Sequence, residues 1–178
     1  MRCSAKKADR IMRQSLVRLW DKVPYRDAKS RIQSGDIILW HGRGLAARLV
    51  QWATNSYWSH AGVAIWWGPR LMVLDAYPFK GTRARPLSHD IEGAYWLPSS
   101  AVWTKDAHAF ALDELDKKYS LQNLWKTWLG LNLVGREYQC AQYVAAVMKK
   151  AGVDFTAPAT PESISRELPP PVQLVECI

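Results

Sequence analysis

Two β-prone runs separated by Gly68-Pro69 constrain this chain more than any other feature. His60-Ala-Gly-Val-Ala-Ile-Trp-Trp67 and Leu71 to Ala76 are rich in branched and aromatic residues, which suit a pleated, half-buried surface. A Gly-Pro step between such runs turns the chain back on itself, so the second run returns as the antiparallel partner of the first. A hairpin alone is marginal in water and needs further strands or helices to cover it. Asp36 to Trp40, entered through the turn Ser34-Gly35 and closed by Gly42 and Gly44, supplies one strand, and residues 94–98 another. Register is left open. A two-residue turn pairs Asp75 with Gly62 and puts it on the face of His60, whereas a three-residue turn pairs it with Val63 and points it away.

Helical spacing fills most of the rest. Residues 4–22 read as a basic amphipathic helix with Ile11, Leu16, Leu19 and Trp20 on its apolar side, ended by Pro24. A short helix is predicted over 45–53 and another over 105–118, capped by Thr104, with a further helical stretch at 121–129. Gly135 interrupts the pattern. The helix over 140–151 carries an apolar stripe at Val144, Val147, Met148 and Ala151, with Lys149, Lys150 and Gly152 marking its end. Residues 77–93 read as loop, punctuated by Pro78, Gly81, Pro86 and Gly93. The proline-rich end reads as a wrapping segment with one short helix near 162–167. The predicted class is α+β: an antiparallel sheet packed against helices, in a domain over 31–178 preceded by a basic helical segment over 1–30.

The 178 residues suit one domain with a sizeable core. The net charge of +8 is concentrated, since residues 1–50 hold twelve Lys and Arg against four Asp while the remainder is balanced. That surplus suits a polyanion, either a cell-wall polymer or an anionic membrane surface, or else serves only as a solubilising face. No motif points to specific nucleic-acid binding. The ten tryptophans suit core packing or broad apolar contact surfaces. The first twenty residues interleave basic and apolar side chains and lack the continuous run of a secretory signal, and no stretch reaches membrane-spanning length. The expectation is a soluble protein, cytoplasmic or carried to a cell wall by a phage or secretion system.

Cys3, Cys140 and Cys177 are too few and scattered for a disulfide framework and lack zinc-ligand spacing, so neither a metal nor a cofactor is expected. Cys140 is the internal one, where loop gives way to helix. A thiol there meets the positive end of the helix dipole and free backbone N–H groups, which draw a cysteine pKa from about 8.5 into a range of roughly 3.5–7.5. The same N–H groups can hold an oxyanion. The plain alternative is a small apolar residue opening a buried helix. His60, at the start of its strand, is the candidate base, ahead of His41, His89 and His108. Asp75 is the acid best placed to orient it, or else simply ends its strand.

Together, Ser34-Gly-Asp-Ile-Ile-Leu39, Ser59-His-Ala-Gly-Val-Ala-Ile65, Val73-Leu-Asp-Ala76 and Tyr138-Gln-Cys140 resemble the circularly permuted NlpC-type papain-like family, specifically its YiiX/YebB-like branch. The histidine precedes the cysteine, as in that branch and in the lecithin:retinol acyltransferases. The resemblance covers about 35–150. It implies Cys140 as nucleophile, His60 as base and Asp75 as the acidic third residue. Tyr138, Gln139, Ser59 and Trp40 are the expected substrate-binding residues. Where the family's cysteine is commonly followed by Ser and then Glu or Gln, this sequence has Ala141 and Gln142, and the loss of the Ser alters the pocket but not the nucleophile. The implied reaction is acyl transfer through a thioester. The favoured substrate is an amide bond in a cell-wall stem peptide. The alternatives are an acyl lipid and a non-catalytic binding module on the same fold.

Overall fold

The computed structural model describes residues 20–54, 56–77, 81–115, 138–157 and 159–176. In chain order the elements are β1 (Lys22–Pro24), α1 (Tyr25–Lys29), β2 (Ile37–Trp40), α2 (Leu45–Thr54), β3 (His60–Trp67), β4 (Arg70–Tyr77) and β5 (Gly81–Pro86). A single 3-10 turn, Leu87–His89, leads to β6 (Ala94–Leu97), followed by α3 (Lys105–Asp113), α4 (Tyr138–Lys150), α5 (Pro161–Glu167) and β7 (Val172–Val175). The strands form a seven-stranded sheet ordered β1-β7-β6-β2-β3-β4-β5.

The turn at Gly68-Pro69 is the two-residue kind, since Trp67 pairs with Arg70 and, five steps further along, Gly62 pairs with Asp75. Period-2 alternation then divides the sheet. One face carries Ile37, Leu39, Ala61, Val63, Ile65 and Leu74 and is covered by Ala141, Val144, Val147 and Met148 of α4, with Ala111 and Ile164 from α3 and α5. The other carries Ile38, Ala64, Val73 and Trp96 and is covered by Ala28, Ile32, Leu87 and Ile91. Both faces are therefore dry, which is why β2 and β6 are buried at every position. Gly62 sits where the two central strands are most crowded: a Cβ there would lie 2.5 Å from Val73 Cγ1 and 3.0 Å from the Leu74 carbonyl oxygen.

The Gly35-Asp36 pair has a structural task. Gly35 takes φ +96°, and a Cβ on it would meet Ala101 Cβ at 2.9 Å. The buried Asp36 carboxylate accepts from Trp96 Nε1 (2.8 Å), Gln33 N (2.9 Å) and Ser99 N (2.9 Å), tying the start of β2 to both sides of the sheet. Thr104 caps α3 by accepting from Ala107 N, and Thr160 with Ser163 forms a capping box on α5.

Four expectations need correction. The basic helix over 4–22 does not extend through its last residues: Trp20 is in a bend and Lys22–Pro24 is β1, while 1–19 lie outside the described residues. Trp20 stacks on Trp58 with centroids 5.3 Å apart and meets Tyr95 edge-on, so it serves the first core face instead of a helix stripe. The sheet is mixed, because β1 pairs β7 in parallel; the long intervening chain allows the crossover that a parallel pair needs. The segment 77–93 contains β5, whose Thr82-Arg-Ala-Arg alternation places Thr82 and Ala84 inward on α3 and its neighbours. The end of the chain adds β7 as well as its short helix. The helix expected at 121–129, Gly135, Cys3 and Cys177 lie outside the described residues.

Candidate active site

His60 opens β3, directly opposite Trp40 at the end of β2. Alternation from His60 through Gly62 to Ala64 puts its imidazole on the second sheet face, and the Gly62–Asp75 register brings the Asp75 carboxylate to the same face. His60 Nε2 lies 3.2 Å from Asp75 Oδ2. Cys140 stands in the first turn of α4, which packs along β3 and β4, and is itself buried at 3% exposure. Because His60 is at a strand end, its ring reaches the start of that helix, and the Cys140 sulfur hydrogen-bonds to the imidazole. With Nε2 engaged by Asp75, Nδ1 is the ring nitrogen left to face the sulfur. The sequence-predicted trio is thus brought together.

Electrostatics follow from this packing. Burial works to lower the His60 pKa, but it is outweighed by the charge of the Cys140 sulfur and by the hydrogen bonds to Asp75 and Cys140, and the imidazole is raised from 6.5 to about 9. Asp75 is fully buried; burial alone would raise its pKa, yet His60 and Arg85 hold it below the usual carboxylate range. At neutral pH these partners hold the imidazole in its protonated form, a proton donor beside the Cys140 sulfur. An NMR titration should place the His60 ring near pH 9, and Cys140→Ala should move it back toward 6.5, because the sulfur is the largest raising influence. A raised imidazole pKa adds stability that is fully present below about 6.5 and is lost as pH climbs through about 9.

The charged layer extends beyond the trio, through residues that sequence reasoning missed. Arg85 Nε donates to Asp75 Oδ2 at 2.7 Å, and Arg83 Nε to Asp75 Oδ1 at 3.3 Å. Arg85 also pairs with Asp90 through Nη1, and its Cζ lies 4.7 Å from the Trp40 ring centroid. Its Nη2 is buried and has no hydrogen-bond acceptor among the described residues, so the aromatic face takes the place of one. The Tyr77 ring lies 4.3 Å from that of His60 and 3.9 Å from Arg83 Cζ. Alternating arginines opposite a strand with an inward Asp were the available signal, hidden by the loop reading of 77–93.

The other expected residues divide. Trp40 packs its ring 5.5 Å from His60 and donates Nε1 to the Asp90 carbonyl oxygen, walling the imidazole. Ser59 Oγ donates to the Trp40 carbonyl oxygen (3.0 Å) and accepts from Gly42 N (2.9 Å), so its hydroxyl is engaged in joining β2 to β3. Tyr138 and Gln139 open α4, and their side chains lie outside the described residues.

No family model matches the chain, and no curated protein matches it either. Among solved structures it is similar to the metalloprotein yiiX from Escherichia coli O157:H7, DUF1105. The likeness has a TM-score of 0.52 and 23% identity, and spans 70% of this chain and 69% of that one. The fold is YiiX-like. That match agrees with the α+β arrangement of a mixed sheet packed against helices, and at this identity it concerns the fold alone. Among the described residues no helix is long and apolar enough to cross a membrane.

Proposed function

We propose that this protein is a cysteine hydrolase on a circularly permuted, papain-like NlpC-type variant of the fold, cleaving an acyl bond through a thioester. The observation that carries this is the continuous chain from the Cys140 sulfur through the His60 imidazole to the buried Asp75 carboxylate. The sulfur attacks a carbonyl carbon, the developing oxyanion meets backbone N–H groups at the start of α4, and His60 protonates the departing group. Water, deprotonated by the now neutral His60, then releases the acyl chain as the acid and restores the imidazolium beside the free sulfur nucleophile.

The first substrate reading is an amide in a cell-wall stem peptide. A second, an acyl lipid, is favoured by one observation: α2, which leads into His60, turns Leu45, Leu49 and Trp52 to solvent. Parallel assays on purified peptidoglycan (turbidity) and on vesicles of labelled phospholipid separate the two. Release from one substrate, abolished in Cys140→Ser, assigns it; release from neither counts against both.

The solved relative is called a metalloprotein, but this site is poorly suited to a cation. Asp75 already accepts from His60, Arg83 and Arg85, and the two guanidiniums beside it repel a dication. Among the described residues no group of three His, Cys, Asp or Glu is arranged to hold a metal.

A further inference from the structure

Helix α2 is built inside out relative to an ordinary surface helix. Its inner face is polar and small. Gln51 Nε2 donates to the Gly42 and Tyr57 carbonyl oxygens (3.3 and 3.0 Å), and Ala47 packs so tightly on Gly42 that a Cβ there would come within 2.6 Å of the alanine methyl. Its outer face is apolar: Leu45, Leu49 and Trp52, spaced i, i+4 and i+7, are 86%, 50% and 70% exposed. Among the described residues the other large exposed apolar side chains, Trp67 and Val102, do not belong to this stripe. Arg48 is exposed one turn from both Leu45 and Trp52, and Arg43, 77% exposed, precedes the helix.

The geometry points to α2 as an interfacial helix that seats the protein on an anionic lipid bilayer, burying Leu45, Leu49 and Trp52 at the headgroup boundary while Arg43 and Arg48 meet lipid phosphates. Charge complementarity selects this occupant, because residues 42–54, which hold the apolar stripe, carry Arg43 and Arg48 and no Asp or Glu. A second copy of the chain would bring the same basic flank against itself. The short Ser56–Ser59 connection separates α2 from His60, and Gln51 and Ser59 fix that connection to β2. Docking by α2 therefore sets the catalytic strand end near the bilayer. The inference is independent of the thiol chemistry.

The test is flotation of the full chain with phosphatidylcholine vesicles, with and without phosphatidylglycerol. Wild type and Cys140→Ser should both float with anionic vesicles, less with neutral ones and less at high salt. The double variant Leu49→Glu/Trp52→Glu should lose about tenfold or more of that partitioning while keeping its thermal transition. Equal flotation of the double variant overturns the inference and moves the contact elsewhere in the chain. No flotation of wild type overturns it too, and a concentration-dependent dimer in sedimentation that the double variant abolishes would assign the stripe to a second copy.

Discussion

Cys140→Ser lowers turnover of the true substrate by about a thousandfold or more, with the fold intact. The size of the loss follows from the role: triad members act as a unit, and removing the nucleophile leaves only binding and oxyanion stabilisation. The intact fold follows from the site, since serine is nearly isosteric with cysteine and the stabilising contacts of α4 are made by Ala141, Val144, Val147 and Met148. In wild type, alkylation by iodoacetamide near pH 7 should mark Cys140 faster than Cys3 or Cys177, and His60→Ala should slow it. A Cys140→Ser protein that retains turnover, or a Cys140 that reacts no faster than the other two, would leave a binding module in place of an enzyme.

Most of this site was legible because its parts sit on strong local signals. Branched residues around a Gly-Pro turn set β3 and β4, and the apolar stripe of α4 set the helix that carries Cys140. The one question that sequence left open, whether Asp75 faces His60, depended on a single residue of turn length. The turn has two residues, pairing Trp67 with Arg70 and Gly62 with Asp75, and the composition of Gly68-Pro69 does not by itself fix that length. The arginines were missed for a different reason. Gly81 and Pro86 bound β5, and turn residues at both ends of a short run read as loop; only the buried Asp75 opposite makes Arg83 and Arg85 strand residues. Strands β1 and β7 are three and four residues long and are held by distant partners, β1 by β7 and β7 also by β6, so neither shows a periodicity of its own.

Asp75→Asn should cost both stability and catalysis, and a second substitution separates the two. In wild type a buried carboxylate balances Arg85, only 16% exposed, together with Arg83 and the raised imidazole of His60. The amide removes that charge and turns a donor toward donors. Breaking such a pair from one side costs about 3–5 kcal/mol when both partners are buried. Arg83 is about one-third exposed and Arg85 keeps Asp90, so the lower end of about 3 kcal/mol is expected, read as a fall in urea midpoint at unchanged slope. The wild-type contribution is present above the ordinary carboxylate range and is lost only as pH falls through the lowered Asp75 pKa. Activity should drop by about 100- to 10,000-fold, because the imidazole loses the acceptor that fixes its tautomer. Asp75→Leu combined with Arg85→Met removes the closest charge pair and restores apolar contact with Trp40 and Tyr77, so the midpoint should recover in part, with Arg83, His60 and Asp90 losing their partners in that pair, while activity stays low. Recovery of both would make Asp75 a structural counter-ion alone; recovery of the midpoint without turnover assigns it to the orientation of His60.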